Sequence, residues 1–323
     1  MFFTFGFWGD IMLRDVNIYA DGYLYQRNRD FVTKDLETVL ATKYQAKKVF
    51  LTNSCMEAIT SLFEYLLPVG GKVLVNCDTY YETRQWLQMA RRYQVLEIDF
   101  KDIDAVEKAL QQDFDVVYFD NPSFFYQFYD VEKICKLAHQ YSAKVIVDNT
   151  ILSFYYMNPL ENGADYVVES FSKYVSGHGD VMAGGIICHE EPDESLALFL
   201  GRRGRVVSSF TVFLLERSLE TLAVRMEKHT ENGKYIFNKL KEMGVPAWYA
   251  GVGGCIILPG KGEDFCDNLE VFKKAPTFGI TYSTASFVRS PNLYRVKSYA
   301  RLSCGLEDKD VLWEDVCKAL LIS

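Results

Sequence analysis

A single lysine stands in a polar, glycine-rich stretch between two apolar runs. The stretch is ESFSKYVSGHGDVMAGGII, from Glu169 to Ile187, and its lysine is Lys173. Because it follows a short apolar run, its amine is expected to be screened from bulk water. Desolvation lowers the pKa of an amine and makes it a better nucleophile toward an aldehyde. The position predicts a lysine that forms a Schiff base, although a surface lysine at a strand end has the same local sequence.

Three further features of the sequence could take part in the same chemistry as Lys173. Asp148 ends KVIVD, a run with almost no other polar residue, and a carboxylate there is costly without a cationic partner. Ser54, Cys55 and Met56 begin a predicted helix directly after a predicted strand, and the N–H groups of a helix start bind phosphate. Tyr80 follows another predicted strand, where its ring could stack on a flat ligand.

One cofactor would use all four features. It needs an aldehyde for Lys173, a ring nitrogen for Asp148, a phosphate for the helix start and an aromatic ring for Tyr80. Pyridoxal 5′-phosphate (PLP) carries these groups. The residues alone leave the ordinary alternative open: a surface lysine, a turn-capping aspartate, a helix N-cap and one of 21 tyrosines.

The elements that would position these residues alternate between strand and helix. Strands are predicted at 47–53, 72–76, 95–100, 115–122, 144–150 and 165–170, and helices at 54–67, 81–93, 102–112 and 131–142. This alternation predicts an α/β fold with βαβ units and a mainly parallel sheet between helices. Ligands of such sheets bind beyond the carboxyl ends of the strands. Those ends carry Ser54, Asp78–Tyr80, Asp120–Ser123, Asp148–Thr150 and Ser170–Lys173.

The pattern changes after about Thr211. One long helical stretch is predicted over 212–244, then a strand at 254–260, a helix at 264–274, the segment ARLSCG at 300–305 and a final helix from Asp308. These elements predict a smaller α+β C-terminal domain. The predicted organisation is an N-terminal arm (1–40), a large cofactor-binding domain (41–215) and the small domain (216–323).

Composition excludes several classes of protein. The formal net charge is -8, so a basic footprint for nucleic acid is absent. No apolar run approaches the roughly 18 residues of a membrane span, and the N-terminus lacks the pattern of a secretory signal. Eight cysteines without a Cys-x-x-Cys pair indicate reduced thiols and a cytoplasmic protein. The four histidines show no metal-ligand spacing, so no metal is expected.

The chain resembles the cystathionine γ-synthase, cystathionine γ-lyase and methionine γ-lyase family, the Cys/Met-metabolism branch of fold-type I PLP enzymes. SKYVSGHGDVMAGG is similar to the family's Schiff-base signature, S/T-K-Y-x-x-G-H-S-D-V-x-x-G. VDNTILS resembles V-D-N-T-F-L-S, and LTNSCMEAI resembles the phosphate-loop segment. YLYQRN, TLAVRMEKHTENG and RLSCGLED match further family segments in the right order. The resemblance therefore runs along nearly the whole chain.

The resemblance implies roles for the cofactor-binding residues. Lys173 would be the Schiff-base lysine and proton carrier, Asp148 would pair with the ring nitrogen, and Tyr80 would stack on the ring and assist catalysis. The phosphate would be bound by the side chains and backbone of a larger set of residues: Ser54, Cys55, Met56, Ser170 and Ser172, with Tyr25 and Arg27 of a neighbouring subunit.

The substrate side is implied in the same way. Arg301 would clamp the substrate α-carboxylate with its two-pronged guanidinium, and Ser283 would correspond to the serine of the family's E-S-L-G-G. The tyrosine and arginine of the N-terminal arm imply a homodimer or a dimer of dimers. His178 and Asp180 are expected to shape the loop after the lysine.

Several positions depart from the family. Phe124 stands where an asparagine normally contacts the cofactor and the substrate carboxylate, and Cys55 replaces the phosphate-loop glycine. The family's Y-G-G-T becomes Tyr80-Tyr81-Glu82-Thr83, and the segment after Ser283 is shortened. SFFYQFY (123–129) would either form an aromatic wall or pack under its loop. The cofactor side is thus expected to be intact and the substrate side altered.

The resemblance favours β- or γ-elimination or γ-replacement on a sulfur-containing or O-acyl amino acid. Two alternatives stay open. One is a PLP enzyme of specialised biosynthesis that catalyses transamination, racemisation or another elimination. The other is a non-catalytic descendant that only binds PLP.

Overall fold

The computed structural model describes residues 31–192, 194–289 and 296–322. Apart from residues 31–40, the predicted N-terminal arm lies outside this part of the chain. Tyr25 and Arg27, predicted to contact a neighbouring subunit, lie outside it as well, so their roles stay predictions.

Seven strands form the first sheet. They are β1 Lys48–Thr52, β2 Lys72–Asn76, β3 Gln94–Ile98, β4 Val116–Asp120, β5 Lys144–Asp148, β6 Tyr166–Glu169 and β7 Gly184–Cys188. Their order in space is β1-β7-β6-β5-β4-β2-β3. All pairs are parallel except those of β7, which runs antiparallel to both β1 and β6. The prediction of a mainly parallel sheet is confirmed, and β7 is a strand that the sequence pattern missed.

Helices cover both faces of this sheet. They are α1 Phe31–Tyr44, α2 Cys55–Leu66, α3 Tyr81–Ala90, α4 Ile103–Leu110, α5 Val131–Gln140, α6 Ser153–Tyr156 and α7 Glu194–Arg202, with a 3-10 helix at Pro159–Asn162. The sequence of strand β4 is apolar at almost every position because both of its faces are buried. Val117 and Phe119 belong to one hydrophobic core, whereas Val116 and Tyr118 belong to another on the opposite face. A strand buried on both faces has no alternating polar side.

The rest of the chain builds a second, smaller unit. Its elements are α8 Ser209–Leu219, α9 Leu222–Glu242, β8 Trp248–Tyr249, β9 Cys255–Pro259, α10 Glu263–Asp267, β10 Lys273–Lys274, β11 Thr284–Arg289, β12 Ser298–Ser303 and α11 Lys309–Ile322. The five strands lie in the order β10-β11-β12-β9-β8. Ile236 and Leu240 of α9 share a core with Leu312 and Val316 of α11. This unit has the predicted α+β character.

Two predicted elements are wrong in detail. The helical stretch over 212–244 is divided between α8 and α9, and at the division the Arg225 guanidinium binds the Ser218 carbonyl and the Thr221 hydroxyl. The helix predicted over 264–274 ends at Asp267. Beyond it, the Asp315 carboxylate accepts hydrogen bonds from the N–H groups of residues 270, 271 and 272, which therefore bond to a side chain instead of to helical carbonyls.

The predicted domain boundaries fall inside helices. Residue 40 lies within α1 and residue 215 within α8. Leu36 and Leu40 of α1 pack in the same core as Leu51 of β1 and Leu215 of α8.

Among the helices of the described ranges, none has both the length and the hydropathy that crossing a bilayer requires.

Candidate active site

A cavity of about 350 Å³ lies beyond the carboxyl ends of β4, β5 and β6, where ligands of parallel sheets bind. The predicted site residues that line it are Ser54, Cys55, Met56, Tyr80, Asp148, Ser170, Ser172, Lys173 and Arg301. They come from both units of the fold, since Arg301 belongs to β12 and the others to the first unit.

Lys173 lies four residues after the end of β6, in a turn in which its N–H donates to the Ser170 carbonyl at 3.1 Å. Its Nζ donates to Thr277 Oγ1 at 3.2 Å and lies 5.1 Å from the centre of the Phe278 ring. Burial, together with the positive charge of Arg301, lowers the pKa of the Lys173 amine from its ordinary value. A larger neutral fraction makes the amine a better nucleophile and a better proton acceptor.

Arg225 fixes the loop that carries this lysine. Its guanidinium donates to the carbonyl of Tyr174 at 2.5 Å and to that of Val175 at 3.0 Å. Gly177 leaves room for it, because a Cβ there would lie 1.9 Å from Arg225 Nη1. Arg225, a residue of α9, thus holds the backbone immediately after Lys173.

Asp148 is buried at the end of β5. Its Oδ1 accepts the N–H of Thr150 at 2.9 Å, and its Oδ2 accepts from the Tyr118 hydroxyl at 3.3 Å and lies 3.9 Å from Cys55 Sγ. These donors are all neutral, and burial raises the pKa of the carboxyl despite them. A cation placed in the cavity beside Asp148 would restore the ionised form.

Asp120 is the register neighbour of Asp148 on β4, and its Oδ2 accepts the N–H of Tyr80 at 2.7 Å. Burial, and next the charge of Asp148, raise the pKa of Asp120. This hydrogen bond to the backbone of Tyr80, the residue before α3, positions Tyr80 at the edge of the cavity. The sequence placed Asp120 at a strand end but assigned it no role.

Tyr80 presents an aromatic ring to the cavity. The ring centre lies 5.9 Å from that of Phe124 and 5.2 Å from that of Tyr81. Burial raises the pKa of Tyr80 to about 12, with smaller contributions from Tyr81 and Glu82. The hydroxyl is therefore protonated near neutral pH and is a hydrogen-bond donor.

The start of α2 forms one end of the cavity, where Ser54, Cys55 and Met56 line it. Ser54 caps the helix by accepting the N–H of Glu57 at 3.1 Å, while the N–H groups of the first turn have no intrahelical acceptor. Gly184 of β7 approaches this turn so closely that a Cβ there would lie 2.5 Å from the Cys55 nitrogen. The hydroxyl of Ser172 binds the Ala183 backbone at 2.9 Å, and Ser170 N–H donates to Thr150. Hydroxyls and N–H groups make this end suitable for phosphate.

Of the two predicted substrate-binding residues, Arg301 lines the cavity and Ser283 does not. The buried guanidinium of Arg301 donates to the Pro276 carbonyl at 2.7 Å and lies 5.2 Å from the Phe278 ring centre. Ser283 is not among the residues that line the cavity, and its hydroxyl donates to Glu307 at 2.8 Å.

The hydroxyl that reaches Lys173 belongs to Thr277, which sequence reasoning missed. In the family's E-S-L-G-G motif the serine stands two positions before a glycine. Thr277 has this spacing to Gly279, and that spacing could have identified it in place of Ser283. His178 Nδ1 lies 2.5 Å from the Ser176 carbonyl and 3.3 Å from the Ser218 hydroxyl. These local contacts agree with the predicted loop-shaping role of His178.

The cavity fits pyridoxal 5′-phosphate. It offers an amine of lowered pKa to the aldehyde, a buried carboxylate with only neutral donors to the ring nitrogen, and a helix start to the phosphate. Fold and site together define an α/β enzyme of the PLP-dependent class.

Comparison with known proteins identifies the family. The chain belongs to the Cys/Met metabolism PLP-dependent enzyme family, whose model matches residues 9–247. It is 28% identical over 337 residues to cystathionine gamma-lyase of Dictyostelium discoideum, covering 92% of this chain and 87% of the relative. It is 29% identical over 342 residues to L-methionine gamma-lyase of Pseudomonas putida, covering 94% and 86%.

A solved structure agrees. That of metB from Corynebacterium glutamicum superposes with a TM-score of 0.88 at 27% identity and covers 94% of this chain and 88% of that one. The predicted family, the fold-type I architecture and the cofactor PLP are thereby confirmed.

A buried acid beside this site predicts a pH effect on stability. Tyr44 donates to the carboxyl of Glu169, the residue before Ser170, and burial raises the pKa of Glu169 from 4.5 to about 8. Between these values the folded state binds the extra proton, so wild-type stability falls as pH rises through this interval. Glu169→Gln cannot ionise. Guanidinium unfolding should show the variant gaining stability relative to wild type between roughly pH 5 and 8, and a pH-independent difference would contradict the assignment.

Proposed function

We propose that the enzyme catalyses β- or γ-elimination, or γ-replacement, on an amino acid with a sulfur or acyloxy leaving group. The observation that carries the proposal is the position of Lys173 Nζ and the Arg301 guanidinium, which lie 5.1 and 5.2 Å from the centre of one ring, Phe278. An amine for the α-proton and a guanidinium for the α-carboxylate thus face the same small space. Two of the relatives named above are a cystathionine gamma-lyase and an L-methionine gamma-lyase by name, which supports this chemistry.

Each residue has a task in this proposal. PLP, when bound, supplies an electron sink for the carbanion at the substrate α-carbon. Lys173 accepts the α-proton and returns it, helped by its lowered pKa. Arg301 orients the substrate through its carboxylate. Asp148 would hold the ring nitrogen and favour its protonated form, and Thr277 orients the lysine through its hydroxyl.

A second candidate keeps the cofactor but changes the outcome to transamination or racemisation. It is favoured by Phe124, an apolar side chain that lines the cavity where the family carries an asparagine. All these reactions begin with removal of the α-proton, and they differ in whether a leaving group then departs and where the proton returns. Loss of that amide alters how the substrate and the cofactor oxygen are held, and this positioning influences those later steps.

We further propose that the active form is a homo-oligomer, in which Tyr25 and Arg27 reach the phosphate of a neighbouring subunit. Among the described residues that line the cavity, the cations are Lys173 and Arg301, and neither belongs to the helix start. A dianionic phosphate needs charge from elsewhere. A monomeric mass for the active holoenzyme in solution would oppose this proposal.

We also propose a cytoplasmic location, which the eight free cysteines support.

The decisive experiment incubates the purified holoenzyme with cystathionine, cysteine, methionine and an O-acylhomoserine. Release of a 2-oxo acid, with a change in the visible absorbance of the cofactor, is the expected result for at least one of them. Formation of pyridoxamine phosphate or of the D-amino acid would favour the second candidate. A holoenzyme whose spectrum responds to no amino acid would overturn both.

Arg301→Lys provides a test of the carboxylate clamp. Lysine keeps the charge but loses the two-pronged geometry, so we expect KM to rise by roughly tenfold to 100-fold with a smaller change in kcat. Arg289→Lys, at an exposed position on the neighbouring strand, is the matched control and should leave both constants unchanged. A fall in kcat without a rise in KM would assign Arg301 a different task.

A further inference from the structure

Phe124 lies at the junction of a continuous group of aromatic rings. Its ring centre is 5.9 Å from that of Tyr80, 5.6 Å from that of Phe125 and 6.1 Å from that of Tyr299. Phe125 in turn contacts Trp248 at 5.9 Å. Phe124 therefore joins Tyr80, beside the cofactor position, to β12, the strand that carries Arg301. It also lines the cavity, so it is available to contact a ligand there and does not pack only under its own loop.

The charged groups of the cavity are few. Among the described lining residues the cations are Lys173 and Arg301, and the carboxylates are Asp120 and Asp148. The proposed function uses Lys173 and Arg301 for the cofactor and the α-carboxylate. Asp148 serves the ring nitrogen, and Asp120 binds the backbone of Tyr80. None of these groups is left to pair with a charge on the substrate side chain.

The remaining wall is apolar. Besides Phe124 it includes Ile59, Tyr126, Ile151, Met182 and Phe278. Phe278 lies close to both cations, with Lys173 Nζ at 5.1 Å and Arg301 Cζ at 5.2 Å from its ring centre. A carboxylate placed against such rings loses its hydration without gaining a partner, which is unfavourable. An ammonium group gains only a cation–π contact, which the positive charges of Lys173 and Arg301 beside Phe278 oppose. An uncharged chain of carbon and sulfur atoms gains burial and contacts between sulfur and aromatic rings.

We propose that Phe124 is a specificity-determining residue and that the substrate is an amino acid with one carboxylate and an uncharged, apolar side chain, such as an alkyl thioether. This inference rests on the proposed function and narrows its substrate class. A second amino-acid head group, as in cystathionine, or a side-chain carboxylate, as in an O-succinyl ester, is disfavoured by the same aromatic wall.

Binding of unreactive amino acids to the holoenzyme tests this. Norleucine, 2-aminoadipate and lysine have side chains of similar length that end in a methyl, a carboxylate and an ammonium group, and none has a β- or γ-leaving group. Each Kd is read from the change in visible absorbance of the cofactor. We expect norleucine to bind at least about tenfold more tightly than either charged ligand.

Variants assign the preference to the ring. Phe124→Asn should weaken norleucine binding by about tenfold and remove the preference, whereas Phe124→Leu should retain it. Phe128→Asn, the same change at an exposed phenylalanine of the same segment, should behave as wild type. Cofactor content and circular dichroism of each variant monitor folding. If Phe124→Asn does not fold, Phe124→Gln places a second polar side chain at this position and should likewise weaken norleucine binding and remove the preference, with Phe128→Gln as its control.

The outcomes separate the two levels of the proposal. A spectral response to all three ligands with equal or tighter binding of a charged one overturns the specificity inference and leaves the proposed chemistry intact. The same preference in wild type and in a folded Phe124→Asn removes Phe124 as its origin. A holoenzyme that responds to no amino acid contradicts both the inference and the proposed function.

Discussion

Replacing Lys173 with alanine should reduce turnover by roughly 10⁴-fold, because the proposed function gives this one residue both the tethering of the cofactor and the transfer of the α-proton. The reason lies in its surroundings: burial and Arg301 lower its pKa, and Thr277 holds its Nζ in the cavity. The same substitution should abolish the visible absorbance of covalently bound PLP. Activity assays and spectra of the dialysed protein measure the two effects separately.

Lys136→Ala is the matched control. This lysine is exposed on α5 and forms an ion pair with Glu132 within the same helix, so its loss should change neither spectrum nor rate. If Lys173→Ala kept both the bound cofactor spectrum and more than about a hundredth of the activity, another amine would have to be the tether.

The second large effect is expected for Asp148→Asn. The amide is nearly the same size but cannot stabilise a protonated ring nitrogen, so the electron-withdrawing capacity of the cofactor falls. By analogy with the loss of one preorganised electrostatic group, turnover should fall by about 10²–10³-fold. Cofactor affinity should fall too, since an ion pair becomes a neutral contact. Turnover and PLP titration of the apoprotein provide the measurements.

Asp104→Asn, at an exposed position in the first turn of α4, controls for the substitution itself. Asp120→Asn provides a closer comparison, because Asp120 is the neighbour of Asp148 in the sheet register. Its contact with the Tyr80 backbone predicts a smaller loss. Equal losses at both positions would show that the pair acts as a unit and would contradict the separate roles.

The cofactor half of the site could be predicted from the sequence because its residues follow strands directly. A lysine, an aspartate and a helix start placed after short apolar runs must meet at one edge of a parallel sheet. Lys173, Asp148 and Ser54 therefore came together in the cavity as their spacing required. Local sequence determines such positions, since each residue is only a few positions from the strand that directs it.

The substrate half could not be predicted to the same degree. Thr277 reaches Lys173 from a segment without regular structure, between β10 and β11, where periodicity carries no signal. Ser283 was assigned by its resemblance to a motif, yet it bonds to Glu307 away from the cavity. Likewise, the end of α10 depends on Asp315, 48 residues beyond the end of that helix. Contacts between distant segments decide these features, and a local pattern does not contain them.

The contact of Arg225 bears on how the enzyme can be divided. Its guanidinium, from α9, donates to the carbonyls of Tyr174 and Val175 in the first unit. Cutting the chain at the predicted boundary, residue 215, would remove this side chain as well as Thr277 and Arg301. The fragment would retain the sheet and Lys173 but lose the clamp on the lysine loop. The two units are therefore not freely exchangeable modules. A chimaera that joins this first unit to a relative's second unit needs an arginine at this position to keep the lysine loop in place.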